Sequence, residues 1–385
     1  MLLLLRIKFK CLFAFFVIFY LFAVSHVNRL NGQMTENIIL DGKMKTRLDS
    51  MVSQSAKNYL KNNYTNGVSI GVYYKGKSHC YNFAKSKLAS EKSFYNIGSV
   101  AKTFVGMILA QAALDKKINL DDDIRRYLNG DYPNLHYQNK PIKVVHLANH
   151  TSALPKVFRS FPPKVLDSLR NLGLKDQVGF YALYTRDSLM ADLHQVKLDT
   201  IPGTKFSYNS TAMTLLIVLL ENVYQDSYEN IVTNYLRTRL NMPNTKPFLN
   251  ESEMHLTVQG YNNKGIPQQF VNLKGYYFGP TMNSTIEDML QYIKSNLDPK
   301  EKALQMAHQL TFGSKNSFGV GLGWMLNSES GKRYIYHDGN TKIGFNTLCT
   351  LYPDDELGII IITNDTVDQK KVGEIENSIK QSILQ

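Results

Sequence analysis

Two rhythms of hydrophobic and polar positions run along this chain. Over residues 67–84, Val68, Ile70, Val72, Tyr73 and Tyr74 lead into a Lys75-Gly76-Lys77 interruption and then a second stretch of the same kind. Strands turn successive side chains to opposite faces, so this region predicts a hairpin with a tight turn at Gly76. Residues 42–62 instead place Met44, Leu48, Met51, Val52 and Leu60 at helical spacing, which predicts an amphipathic helix. Residues 104–113 are apolar nearly all round, the mark of a buried helix. From 118 to 300 the pattern is one of helices and loops, with helical spacing clearest over 143–149, 213–223 and 227–240. Residues 156–200 show no strong pattern and are expected to cover a cleft. Strand-like runs return at 318–326, 333–337, 346–352 and 358–363, and a helix from about residue 368 closes the chain.

Strands at both ends with helices between them imply an α+β fold, an α/β sandwich. One antiparallel sheet is built from the two chain ends with flanking helices, and a large, mostly helical insertion sits between. The sheet lobe is expected at about 40–100 and 310–385 and the helical lobe at about 101–309, within one domain over 26–385. A catalytic constellation would lie between the lobes.

The chemistry is concentrated where a strand-rich region passes into the buried helix. Asn96-Ile97-Gly98-Ser99-Val100-Ala101-Lys102-Thr103 holds the one Ser-x-x-Lys of the sequence. Residues three apart share a helix face, so Ser99 Oγ and Lys102 Nζ can meet. A serine hydroxyl needs an adjacent base, and a lysine serves when burial lowers its pKa. The helix N-terminus also favours negative charge developing beside Ser99. A bland alternative is a serine opening a helix with a solvated lysine one turn on.

Further stretches carry a family resemblance. Pro202-Gly203-Thr204-Lys205-Phe206-Ser207-Tyr208-Asn209-Ser210 resembles Pro-Gly-x-x-Phe-x-Tyr-x-Asn, and His337-Asp338-Gly339 resembles the His-x-Gly form of a Lys-Thr-Gly strand. His150-Thr151-Ser152-Ala153-Leu154-Pro155 resembles His-Thr-Ser-Gly-Leu-Pro, and the runs at 284–289 and 318–324 fit in the same order. Together with Ser99 and Lys102 these resemble the serine β-lactamase and penicillin-binding protein family over roughly residues 66–365.

The resemblance implies a β-lactamase/transpeptidase-like fold and an acyl-enzyme on Ser99. Lys102 would take the serine proton directly or hold Tyr208 as phenolate, and Tyr208 would pass the proton to the leaving group. The oxyanion would be held by the backbone N–H groups of Ser99 and of Asn340, the residue after Gly339. Two positions depart from the family pattern. Ser210 puts a hydroxyl where an amide is expected, and Asn209 compensates only if the backbone shifts by one residue. His337 replaces lysine, so it would orient Tyr208 or read a substrate carboxylate with a charge that titrates near neutrality. His150 is expected to serve a turn or cap, and Trp324 to pack in the core. The leading expectation is a peptidase- or esterase-like serine hydrolase acting on a small-molecule or peptide substrate. Alternatives are a D-alanyl-D-alanine carboxypeptidase or class C-like β-lactamase, and a non-catalytic binding or sensor protein on the same scaffold.

Composition changes this picture little. With 43% hydrophobic and 20% charged residues over 385 positions, the chain has an ordinary globular make-up. Its net charge of +12 is spread among acids, without the basic-aromatic stripe of a nucleic-acid binder. Part of that charge is Arg6, Lys8 and Lys10, which precede the uncharged stretch 11–25 ending in Ala23-Val24-Ser25. Residues 1–25 therefore read as an export signal, for a periplasmic or secreted protein, or as an uncleaved anchor associating it with a membrane or cell envelope. Cys80 and Cys349 are expected to remain free thiols. No cofactor and no metal are expected, since zinc spacing, the dinucleotide glycine pattern and the nucleophile-elbow Gly-x-Ser-x-Gly are all missing from the sequence.

Overall fold

A computed structural model describes residues 39–40, 46–156, 163–170, 172–272, 274 and 279–384. The expected signal segment lies outside the described residues. The strands of the principal sheet are β1 (Ile39–Leu40), β2 (Gly67–Tyr74), β3 (Lys77–Ala84), β4 (Phe312–Gly313), β5 (Gly319–Val320), β6 (Met325–Glu329), β7 (Lys332–Thr341), β8 (Phe345–Tyr352) and β9 (Leu357–Thr363). They pair antiparallel throughout in the order β1-β3-β2-β9-β8-β7-β6-β5-β4. The hairpin expected at 67–84 is β2–β3, and the sheet is assembled from the two ends of the chain as the pattern implied.

β9 runs down the middle as Leu-Gly-Ile-Ile-Ile-Ile-Thr and is buried along its whole length. An uninterrupted apolar strand needs cover on both faces, and the alternation of its side chains shows how that is met. Ile359 and Ile361 pack with Val52, Ala56 and Leu60 of α1 (Arg47–Leu60) and with Val372, Ile375 and Ile379 of the last helix. Ile360 and Ile362 face the larger core, which continues into the helical lobe. That lobe contains α2 (Ala101–Leu114), α3 (Val144–Ala148), α4 (Pro163–Arg170), α5 (Leu174–Ala182), α6 (Arg186–His194), α7 (Ser210–Tyr224), α8 (Tyr228–Arg239), α9 (Ile286–Leu297) and α10 (Lys302–Ala307), with α11 (Gln369–Leu384) closing the chain.

α2 is the buried helix expected from its composition: Ala101 through Ala110 are all buried. Phe104 stacks on Tyr292 at 4.2 Å, and the Tyr292 hydroxyl donates to Thr103 Oγ1 at 3.0 Å. Trp324 is fully buried against Tyr292 and His308, as expected.

Two expectations need adjusting, and one holds. Within 156–200 the described residues form helices α4, α5 and α6, of 8, 9 and 9 residues. α5 and α6 gather no clear apolar stripe at helical spacing, so no period stands out there. The run 318–326 is two strands, because Gly323 takes a φ of +73° and lies against the Lys102 carbonyl, which a Cβ would approach to 2.4 Å. Cys80 on β3 and Cys349 on β8 form no disulfide, as expected, though only Cys349 is fully buried. Two strands at about 4.8 Å spacing stand between theirs, beyond the reach of a disulfide.

Candidate active site

Ser99 sits in a single 3₁₀ turn, Gly98–Val100, that feeds straight into α2. Asn96 braces the turn. Its side-chain oxygen accepts from Gly98 N–H at 3.1 Å, while its amide donates to Thr281 Oγ1 at 3.1 Å and Asn283 Oδ1 at 3.2 Å. Gly98 has a φ of +56°, and a Cβ there would stand 3.0 Å from Asn340 N. Gly339 is tighter still: a Cβ would lie 2.4 Å from Ile97 O and 2.9 Å from Ser99 N. Only glycine admits this approach of two backbones. It brings the N–H-bearing backbone of Ser99 and Asn340 together, the arrangement an oxyanion hole requires.

The pairing of β6 with β7 ends at Tyr336, whereas β8 pairs with β7 as far as Thr341. Residues 337–341 of β7 are therefore paired on one side only, and this stretch meets the Ser99 turn. Asp338 and Asn340 are exposed, while Asn340 Nδ2 donates to Asn346 Oδ1 at 2.6 Å.

Lys102 Nζ donates to Ser99 Oγ at 2.9 Å. The amine is almost wholly buried, and this desolvation lowers its pKa to about 7 against a smaller opposing pull from the Asp338 carboxylate. Near neutrality a large share of Lys102 is thus the free amine, whose lone pair can accept the serine proton. Lys102 Nζ also lies 4.9 Å from the centre of the Tyr208 ring.

Tyr208 neighbours the Ser99 side chain. Burial pushes its pKa up to about 12, Ser99 opposing and Asp338 adding to the rise. The phenolate form admitted by the sequence reading is therefore disfavoured: Tyr208 is a neutral phenol, and Lys102 is the group with a lone pair available near neutrality. Ser99, Tyr208 and Ser210 are each half-buried and so open to a ligand.

Asn209 offers no substitute for the missing amide. Its Oδ1 accepts from Ala212 N–H at 3.0 Å, capping α7, and its Nδ2 donates to the Leu154 and Pro155 carbonyls at 2.9 and 3.1 Å. A cap of this kind typically stabilises by about 1 kcal/mol. Ser210 is the first residue of α7 and faces the Gly279 backbone, where a Cβ would be 3.1 Å from its own.

His337 departs furthest from expectation. It is buried, and its Nδ1–H donates to the Asp338 carbonyl at 2.6 Å. Burial, reinforced by the nearby Lys102 charge, lowers its pKa to about 3. The imidazole is neutral through the physiological range and does not carry the titrating charge that would read a carboxylate. It lies 6.2 Å, ring centre to ring centre, from Tyr208.

Sequence reasoning missed Asp338 and Asn96. Asp338 is the acid whose field opposes the lowering of Lys102 and adds to the raising of Tyr208. Its only sequence signal is an acid standing between His337 and Gly339. Among the described residues no cluster of His, Cys, Asp and Glu has the arrangement of a metal site, and no helix is long and apolar enough to cross a membrane.

Comparison with known proteins places this geometry in context. The family profile described as Beta-lactamase matches residues 52–380. Among curated relatives, Protein flp of Staphylococcus aureus (strain MRSA252) is 27% identical over 310 residues, covering 77% of this chain and 58% of the relative. A Beta-lactamase of Yersinia enterocolitica is 22% identical over 346 residues, covering 77% of this chain and 82% of its own length. The chain thus spans less than two thirds of the flp relatives it matches. Among solved structures, a Beta-lactamase/D-alanine carboxypeptidase from Yersinia pestis complexed with citrate superposes with a TM-score of 0.73 at 19% identity, covering 88% of this chain and 99% of that one. A Beta-lactamase/D-alanine carboxypeptidase from Pseudomonas syringae superposes at 0.71 with 20% identity, covering 87% and 99%.

Proposed function

Because this chain belongs to the beta-lactamase family, we propose that it is a serine hydrolase cleaving an amide or ester bond through an acyl-enzyme on Ser99. The observation that carries this reading is the 2.9 Å hydrogen bond between Ser99 Oγ and a buried Lys102 whose pKa falls to about 7. In acylation Ser99 Oγ bonds the acyl carbon as its proton passes to the neutral Lys102 amine. The oxyanion so formed is held by the N–H groups of Ser99 and Asn340. Collapse then breaks the bond to the leaving group, which takes the proton by way of Tyr208. Water next adds to the acyl ester and gives its proton to the same groups, and the acid departs with Ser99 restored. One substrate and one water become an acid and an amine or alcohol.

The rest of the site favours a substrate without a free carboxylate at the β7 edge. His337 is neutral there, and the exposed Asp338 repels a second negative charge. A peptidase or esterase action fits this best. The second reading is a D-alanyl-D-alanine carboxypeptidase or β-lactamase, which rests on what the structural relatives are named for. A non-catalytic recognition role leaves the Ser99–Lys102 pair without a use. The positive-then-apolar run at 1–25 supports action outside the cytoplasm, periplasmic or secreted, or at a membrane surface if that segment stays attached.

The test is labelling of wild type and Ser99→Ala with a fluorescent phosphonate and a fluorescent penicillin. Phosphonate labelling lost in the variant is the expected result. Penicillin labelling of equal or greater rate favours the second reading, and Ser99-independent or absent labelling overturns the acyl-enzyme.

A further inference from the structure

His150 holds the segment around Tyr208 at both of that tyrosine's neighbours. Its carbonyl accepts from Ser207 N–H at 2.8 Å, and its Nδ1 accepts from Asn209 N–H at 3.3 Å. Between these two anchors the imidazole packs on the phenol ring, 4.5 Å between centres, and its other side meets Phe206 edge-on at 5.9 Å. The next residue adds a third tie, since Thr151 O accepts from Gly203 N–H at 2.7 Å.

The histidine reaches this position at a cost. Its backbone φ is +61°, a left-handed conformation that L-residues other than Asn, Asp and Gly seldom adopt. Because Nδ1 accepts, the proton of the neutral ring resides on Nε2, and that atom is buried without a hydrogen-bond partner. Strain and an unpaired buried donor together are uncommon in a side chain that merely fills space, and such features collect where a site is being held in shape.

We propose that His150 is a positioning residue for Tyr208: its Nδ1 and carbonyl fix the Ser207-Tyr208-Asn209 backbone, and its ring fixes the phenol against Ser99 and Lys102. The proposal rests on the reading of Tyr208 as the proton relay. His150 itself donates no proton to the reaction. Burial and the neighbouring Lys102 and His337 lower its pKa to about 3, so the accepting Nδ1 stays unprotonated wherever the enzyme would work.

A double-mutant cycle with Tyr208→Phe tests this, reading kcat on a p-nitrophenyl ester and thermal stability side by side. His150→Ala is expected to lower kcat about 10- to 100-fold in the wild-type background, the order of a displaced acid–base group. In the Tyr208→Phe background the same change should cost less than about 2-fold, because the group it positions is gone. Equal losses in both backgrounds mean a general structural role and overturn the proposal.

Two isosteric variants guard against a misfolded alanine variant. His150→Asn keeps an acceptor at the Nδ1 position and suits a left-handed φ, so most of kcat should return. His150→Gln keeps a donor near Nε2 but no acceptor for Asn209 N–H, and should remain impaired. The reverse order overturns the proposal. Should Tyr208→Phe itself leave kcat unchanged, the relay reading of Tyr208 fails, and the proposal falls with it.

Discussion

The site joins two regions of opposite character at Ser99. Lys102, His150 and His337 are buried, while Asp338 and Asn340, one and three residues along the same strand from His337, are exposed. In the buried region environment overrides residue type: a lysine loses its proton near neutrality and two histidines never gain theirs. At the exposed edge Asp338 stands beside solvent, and its field reaches Lys102 and Tyr208. The contrast separates tasks. On the proposed reading, proton transfer would depend on what water cannot reach, and the choice of ligand on what it can.

That contrast breaks most visibly in the buried region. Lys102→Ala and Tyr208→Phe should each lower kcat by about 100-fold or more, with the double variant far short of the product of the two losses. Losses that simply multiply would mean separate proton paths. At the seam between the regions, Gly339→Ala should slow acylation by about 100-fold. Its Cβ must displace Ile97 O and Ser99 N from 2.4 and 2.9 Å, which stopped-flow phosphonate labelling would register as a slower rate at unchanged far-UV circular dichroism.

A gentler probe is pH. Lys102 acts as the free amine with a pKa of about 7, so the acylation rate should fall about tenfold per unit below pH 7 and level off above it. Its folded pKa lies below the ordinary lysine value, so the unfolded chain binds the extra proton between about 7 and 10.5, and this group's contribution to stability rises with pH across that window. His337→Gln should leave the pH limb in place, since the imidazole is already neutral there. Loss of a limb near pH 6.5 in that variant would restore histidine as the titrating group. The smallest effect is expected at Ala153, whose φ of +59° occupies the glycine position of the His-Thr-Ser-Gly-Leu-Pro pattern. Ala153→Gly should raise stability by about 0.5–1 kcal/mol in a urea melt, the relieved strain exceeding the added chain entropy.

Much of this was legible in the sequence where a local rule and the tertiary outcome agree. The β2–β3 hairpin follows from two strand-like apolar runs around the turn at Gly76, and α2 from an all-apolar run. Ser99 and Lys102 follow from a three-residue spacing that any helical turn honours, and Tyr208 from the wording around it. What stayed hidden depends on neighbours far away in the chain. The neutrality of His337 comes from burial between β7 and the helical lobe, and the same composition at a surface would titrate. The capping duty of Asn209 depends on the Leu154 and Pro155 carbonyls, and the bracing duty of Asn96 on Thr281 and Asn283. α5 and α6 were missed for a local reason: their apolar residues form no single stripe.

The pairing of β2 with β9 carries a consequence for how the protein comes into being. Val68 is matched to Thr363, about 300 residues apart, and contacts of such long range make folding slow. The β2–β3 hairpin emerges early in synthesis, yet its inner edge has no partner until the far end of the chain follows. Ser55 on α1 likewise waits for Ser378 on α11, to which it donates at 3.0 Å. The sheet is thus closed only once residues 357–363 are available, and β2 waits for them across nearly three hundred intervening positions.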